Sequence, residues 1–300
     1  MKISIIGAGK WGQALYHAYS LNKENDVVIT SRNVKDIENF VSLEEALKRE
    51  FLIIAIPAQF VRKWLEENFV DYNQNILVAA KGIETSTGAF LNDIYSNFVS
   101  NDRLAFISGP SFATEIKLSL PTALIISSKN QELAKKYADS LPSFIKGYVS
   151  SDVVGAEVSG AYKNVIAIAG GVCGGLNLGN NARAALISRG LVEMSRFGKY
   201  FGAKDETFLS LGGAGDLFLT ASSELSRNYR VGLGLAKGKN LDDILEELGE
   251  VAEGVPTAKA LHKIAFKENL YLPIADEVYK MIEEGKDPLQ SVNDLLSQKF

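Results

Sequence analysis

The first 150 residues alternate between two hydrophobic patterns. Short, continuously apolar runs rich in β-branched residues recur at 2–6, 26–30, 51–56, 75–79, 103–108 and 123–127. Helix-like segments separate them at 11–22, 42–48, 58–69, 87–98 and 130–140. Strands that are apolar throughout are buried on both faces, and their alternation with helices predicts right-handed crossovers in a doubly wound parallel sheet. Beyond about Ser150 the strand runs nearly vanish. Asp152 is placed to cap a long helix over 153–176, and further helices are expected near 182–201, 215–226, 241–248, 257–269 and 274–284. The pattern predicts an α/β Rossmann-type doubly wound sheet followed by an all-α C-terminal domain. The expected division is a dinucleotide-binding domain over 1–150 and an all-helical substrate or catalytic domain over 151–300.

The sharpest local signal lies where the first strand meets the first helix. Gly7-Ala8-Gly9-Lys10-Trp11-Gly12 follows an apolar strand directly. In a dinucleotide-binding turn Gly7 permits the sharp reversal, Gly9 removes a side chain where pyrophosphate must approach, and Gly12 lets helix and strand pack closely. Helix N-terminal amides then face the anion. At the end of the second strand, where NAD-selective proteins usually carry an acidic residue, the sequence reads Ser31-Arg32-Asn33. A guanidinium beside a small hydroxyl suits a 2′-phosphate, so NADP(H) is the expected preference with NAD(H) possible. The alternative is that Arg32 only stacks on adenine.

Charge and cysteine content narrow the class. A net charge of -4 argues against nucleic acid or an anionic membrane as partner, yet allows an anionic small substrate held by a few converging cations. The single cysteine, Cys173, can form neither an internal disulfide nor a cysteine-based zinc site, and it sits among small apolar residues that suit packing. No secretory signal or membrane-spanning run is visible, so a cytoplasmic protein without membrane insertion is expected, and no metal site.

Hydride transfer between an alcohol and a carbonyl needs a group that exchanges the hydroxyl proton. The two histidines, His17 and His262, fall where packing or surface roles fit better. Lys163 is the stronger candidate, a lone cation within the apolar and small-residue stretch VSGAYKNVIAIAGG. Burial would lower its pKa from about 10.4 toward neutrality. The alternative is a lysine that snorkels to solvent.

The chain as a whole resembles the bacterial-type NAD(P)-dependent glycerol-3-phosphate dehydrogenases. The patterns that carry the resemblance run in order: GAGKWG, AAKGIE at 79–84, SGPSFATE at 108–115, GAYKNVIAIAGG from Gly160, and NARAALISRGLVEM at 181–194. GGAGDLFLT at 212–220, SRN at 226–228 and AEGVPTA at 252–258 complete them. The resemblance implies reduction of dihydroxyacetone phosphate to glycerol 3-phosphate for phospholipid synthesis; a homodimer is expected because many helical second domains of this kind dimerise. It implies that Lys163 exchanges the proton, with Asn164, Asp216 and Thr220 as polar partners. Lys81, Gly109, Ser111, Lys163, Asp216, Ser226, Arg227 and Asn228 match substrate contacts, with Arg227 gripping the phosphate. Gly7, Gly9, Lys10, Trp11, Gly12, Ser31, Arg32, Asn33, Lys81, Ala113, Arg227, Val251 and Glu253 are the expected cofactor contacts. Two departures leave the reacting groups in place: Ala214 stands where the family's usual signature has Leu, and Lys10 replaces a common small Ser. A 3-hydroxy-acid dehydrogenase and a non-catalytic nicotinamide-binding protein are the rival readings.

Overall fold

The computed structural model describes residues 1–297. The chain divides into two compact units, Met1–Lys81 with Leu91–Glu157, and Gly82–Phe90 with the residues from Val158 onward.

The first unit is built on seven strands: β1 (Lys2–Ile6), β2 (Asp26–Thr30), β3 (Phe51–Ile54), β4 (Asn75–Val78), β5 (Leu104–Ser108), β6 (Thr122–Ser127) and β7 (Ile145–Ser150). They lie in the order β2-β1-β3-β4-β5-β6-β7. Ile5 on β1 sits opposite Ile29 on one side and Ile53 on the other, and Ile53 opposite Leu77, so the apolar runs stack in register. The helices are α1 (Lys10–Leu21), α2 (Leu43–Leu47), α3 (Val61–Asn68), α4 (Leu91–Tyr95), α5 (Ala113–Lys117) and α6 (Gln131–Asp139). Ser42 and Asn130 cap α2 and α6 by accepting from the backbone N–H three residues on. Because the chain runs from β1 outward to β2 and then returns across β1 to β3, a crevice opens where the strand order reverses. Dinucleotides bind outside the carboxyl ends of strands at such a point.

Three features depart from the sequence expectation. The sheet is not wholly parallel, since β5 and β6 pair antiparallel with Phe106 opposite Ser127. The only helix between them, α5, has five residues and spans ~7.5 Å, too short to carry the chain back along a strand of roughly 17 Å. The strand β7 was not expected. It lies at the sheet edge with an alternating, mostly exposed pattern, and Lys146 and Gly147 interrupt its apolar run. The helix expected over 87–98 contracts to α4, because Gly88 takes φ +77 and Ile83 bridges Phe90, which turns the preceding residues back on themselves.

Among the described residues the second unit contains no strand. It holds most of α7 (Val153–Gly175), then α8 (Gly179–Tyr200), α9 (Asp205–Phe208), a π-turn (Leu211–Gly215), α10 (Asp216–Ala221), α11 (Arg227–Ala236), α12 (Leu241–Leu248), α13 (Gly254–Glu268), α14 (Pro273–Glu283) and α15 (Pro288–Ser297). Asp152 caps α7 as expected, accepting from the N–H of Gly155 at 2.9 Å. From Ala156 to Cys173 every residue of α7 is buried, which explains why its apolar residues show no one-sided stripe. A side chain at Gly171 would lie 1.9 Å from the carbonyl oxygen of Tyr229, and one at Gly232 equally close to that of Ile168. The backbones of α7 and α11 touch there, and only glycine permits it. No helix among the described residues is long and apolar enough to cross a membrane.

Candidate active site

The glycine turn of the first unit has the geometry its spacing predicts. Gly7 has φ +109, and its N–H donates to Thr30 at the end of β2. A Cβ there would stand 2.6 Å from the carbonyl oxygen of Ala55, and one on Gly12 would stand 1.7 Å from that of Gly7. A Cβ on Gly9 would meet nothing within 4 Å. Gly7 and Gly12 are thus fixed by the chain itself, whereas Gly9 faces open space beside the start of α1, whose first turn no side chain caps. A flat, uncapped helix N-terminus behind a bare backbone fits a pyrophosphate.

The other candidates in this unit follow strand ends. Ser31, Arg32 and Asn33 follow β2, and the Ser31 hydroxyl donates to the Asn33 carbonyl at 2.7 Å, shaping a turn that leaves Arg32 exposed. Trp11 sends its indole N–H to the carbonyl of Ala79 at 3.0 Å, which ties the glycine turn to the segment carrying Lys81. Gly109 follows β5 with φ +118, where a side chain would press on the backbone of β6, and the Ser111 hydroxyl donates to its carbonyl. Ala113 opens α5. The Trp11 bond is invisible in the sequence, because a partner 68 residues away leaves no local pattern.

The chemistry-bearing cluster lies in the second unit. Lys163 is 7% exposed and Asp216 1%, so the snorkelling alternative fails. The Lys163 ammonium donates to Asp216 Oδ1 in a short contact and to Thr220 Oγ1 at 3.2 Å. The Thr220 hydroxyl lies 2.6 Å from the Asp216 backbone carbonyl, one helical turn back. Burial penalises both charges, and each compensates the other. The π-turn delivers Asp216 to this position. Gly213 within it packs so tightly that a Cβ would fall 2.3 Å from the Phe208 carbonyl oxygen. The helix expected over 215–226 accordingly contracts to the short α10, which starts directly after the π-turn.

Beside the lysine, Asn164 accepts from the Asn228 side-chain amide at 2.9 Å, and Asn228 Oδ1 accepts from the Gly254 N–H at 2.8 Å. The residues preceding these two bonded asparagines are Lys163 and Arg227. One side-chain bond therefore joins the helix that carries the buried ammonium to the helix that carries the half-exposed guanidinium. Ser226 caps α11 by accepting from the Tyr229 N–H, and Arg227 meets Glu250 at 3.4 Å. Ser226 and Asn228 are buried and spend hydrogen-bonding capacity on the fold. Val251 is partly exposed, and Glu253 opens α13. The pairing of Glu250 also escaped sequence reading, since it sits in a run of acidic residues that looks like a solvated surface.

The histidines do other work. His17 shares a hydrogen bond with Ser119, while His262 pairs with Asp276 and stacks on Tyr279 at 3.7 Å. Cys173 is buried.

Comparison with known proteins gives the family. Residues 152–293 match the family described as NAD-dependent glycerol-3-phosphate dehydrogenase C-terminus, and residues 34–134 match its N-terminus counterpart. The chain is 62% identical to a glycerol-3-phosphate dehydrogenase [NAD(P)+] of Sulfurimonas denitrificans over 99% of both chains. It is 58% identical to the protein of that name in Campylobacter lari over 100% of this chain and 99% of the relative. The crystal structure of glycerol-3-phosphate dehydrogenase from Coxiella burnetii superposes with a TM-score of 0.89 at 31% identity, covering 99% of each chain. With these matches along its full length, this chain belongs to the NAD-dependent glycerol-3-phosphate dehydrogenase family.

Proposed function

We propose that the protein interconverts dihydroxyacetone phosphate and sn-glycerol 3-phosphate with NAD(P)(H), as an sn-glycerol-3-phosphate dehydrogenase working toward phospholipid synthesis. The observation that carries this reading is the buried Lys163, Asp216 and Thr220 cluster, linked through the Asn164–Asn228 bond to Arg227. The nicotinamide ring, when bound, supplies the hydride to C2 of the ketone. Lys163 supplies the proton to the C2 oxygen and takes it back in the reverse direction. Asp216 and Thr220 hold the ammonium and orient it toward the substrate oxygen. Asn164 fixes the rotation of α7 beside it. Arg227 receives the phosphate through paired charge-assisted bonds, supported by Ser226, Asn228, Lys81, Gly109 and Ser111.

For the cofactor, Gly7, Gly9, Lys10, Trp11 and Gly12 receive the pyrophosphate. Ser31, Arg32 and Asn33 take the adenosine end, and Lys81, Ala113, Arg227, Val251 and Glu253 complete the contacts. Arg32 makes NADP(H) the preferred form, since an exposed guanidinium stands where an acidic side chain would repel a 2′-phosphate. The unit boundary, the homodimer and the cytoplasmic location are part of the same reading, and sedimentation of the purified protein tests the dimer. NADPH oxidation with dihydroxyacetone phosphate, repeated with NADH and with a 3-oxo acid as substrate, tests the activity. A tenfold preference for NADH would remove the cofactor assignment, and turnover of the oxo acid alone would favour the hydroxy-acid rival.

A further inference from the structure

Glu250 has no part in the chemistry above, yet it faces the guanidinium assigned to the phosphate. Arg227 Nη1 meets Glu250 Oε2 at 3.4 Å, well beyond the ~2.8 Å of a tight charge-assisted bond. The contact is one-pronged rather than a paired fork. The side chains are 41% and 25% exposed, so an anion from solvent can reach the guanidinium. The placement of Glu250 is built in from both sides. Gly249, with φ +60, closes α12 by donating to the carbonyls of Leu245 and Glu246. Four residues after Glu250, the Gly254 N–H is held by the buried Asn228 side chain, next in sequence to Arg227. A left-handed glycine and a buried hydrogen bond therefore hold the short connection between α12 and α13 against the start of α11.

We propose that Glu250 is an internal competitor for Arg227, a residue that sets substrate affinity by occupying the guanidinium until a phosphate displaces it. This rests on the reading of Arg227 as the phosphate ligand. A carboxylate and a phosphate present the same kind of oxygen edge to a guanidinium, so both cannot make the full paired contact at once. The phosphate, with more charge and three oxygens, wins the exchange but must first break the resident contact. After displacement the Glu250 carboxylate stays tethered nearby and repels the bound anion. Both effects weaken binding, and neither touches the reacting C2 atom, so Glu250 acts on KM and not on kcat.

The test is a double-mutant cycle on the full chain, with thermal unfolding as a check that each variant is folded. Glu250→Gln keeps the shape and removes the charge. The KM for dihydroxyacetone phosphate is expected to fall about fivefold, with kcat within about twofold, and competitive inhibition by inorganic phosphate to strengthen about fivefold. Arg227→Gln is expected to raise that KM at least about fiftyfold. In the Arg227→Gln background, adding Glu250→Gln should change KM less than about twofold, because no guanidinium remains to be released. A KM that rises or stays the same in Glu250→Gln overturns the inference and leaves the phosphate assignment standing, as does an equal fall in both backgrounds, which marks a general charge effect. An unchanged KM in Arg227→Gln overturns the phosphate assignment itself, and the inference with it.

Discussion

The two glycines that flank Lys10 and Trp11 should respond to the same substitution in opposite ways. Gly12 lies inside α1, where alanine is intrinsically favoured by ~1 kcal/mol. Its Cβ, however, would sit 1.7 Å from the Gly7 carbonyl oxygen, whereas a carbon and an oxygen need roughly 3.3 Å. The start of α1 would have to move by ~1.5 Å from a turn that β1, β2 and β3 hold in place. Overpacking of that kind costs about 3 kcal/mol, so sterics outweigh propensity and Gly12→Ala should lose about 2 kcal/mol, or about 6 °C in melting temperature. Gly9→Ala meets no atom, and its φ of -72 suits any residue. Its poorer helix capping and its smaller unfolded-state entropy nearly cancel, so the melting temperature should stay within about 2 °C. The new methyl would nonetheless stand where the pyrophosphate approaches, and NADPH binding should weaken about thirtyfold, near 2 kcal/mol. Thermal unfolding and NADPH fluorescence titration measure the two effects separately. Gly9→Ala binding NADPH like the unmodified protein, or Gly12→Ala melting at the unmodified temperature, would refute the geometric roles given to these residues.

Three further outcomes follow from the same physics. Arg32→Ala should lower the ratio of kcat/KM for NADPH over NADH at least about tenfold, and an unchanged ratio would leave adenine stacking as its role. Glu193 is buried and accepts from the Tyr162 hydroxyl and from the N–H groups of Ile274 and Ala275 at 2.8 to 2.9 Å. Glu193→Ala leaves three donors unpaired and should destabilise by about 3 kcal/mol, read by denaturant unfolding; a loss under about 1 kcal/mol would contradict this. Burial pushes the Glu157 carboxyl from its usual 4.5 up to about 8. The folded state then holds a proton that the unfolded state releases, so stability is fullest below about 4.5 and declines as pH rises toward about 8. Glu157→Gln should lack that decline, and melting curves at pH 5.5 and 8 that shift equally in both proteins would exclude it.

How far the sequence discloses the molecule depends on whether a feature is local. The strands β1 to β6 are visible because each is a short apolar run buried on both faces. The glycine turn is visible because its three glycines fall within six positions, directly after an apolar strand. The strand β7 is hidden because Lys146 and Gly147 break its apolar run and most of its residues are exposed, and the antiparallel pairing of β5 with β6 because strand direction leaves no trace in composition. The helix α11 is hidden for a different reason. Gly232 and Gly234 lower its helix propensity, yet Gly232 is what lets it touch α7. At the site, Lys163 stands out as a cation in an apolar helix, but its pairing with Asp216 spans 53 residues and becomes legible only through family resemblance or coordinates. The bond from Asn164 through Asn228 to Gly254, and the contact of Arg227 with Glu250, belong to the same long-range class.

The central claim is that Lys163 exchanges the proton at the substrate C2 oxygen. The most direct test is the rate of NADPH oxidation with dihydroxyacetone phosphate in the unmodified protein and in Lys163→Met, with NADPH affinity measured alongside as the sign of an intact fold. The account predicts brisk oxidation in the unmodified protein and a fall of about a thousandfold in the variant, with NADPH affinity within about threefold. No oxidation by the unmodified protein, or more than a tenth of its rate in a variant that still binds NADPH, would contradict it.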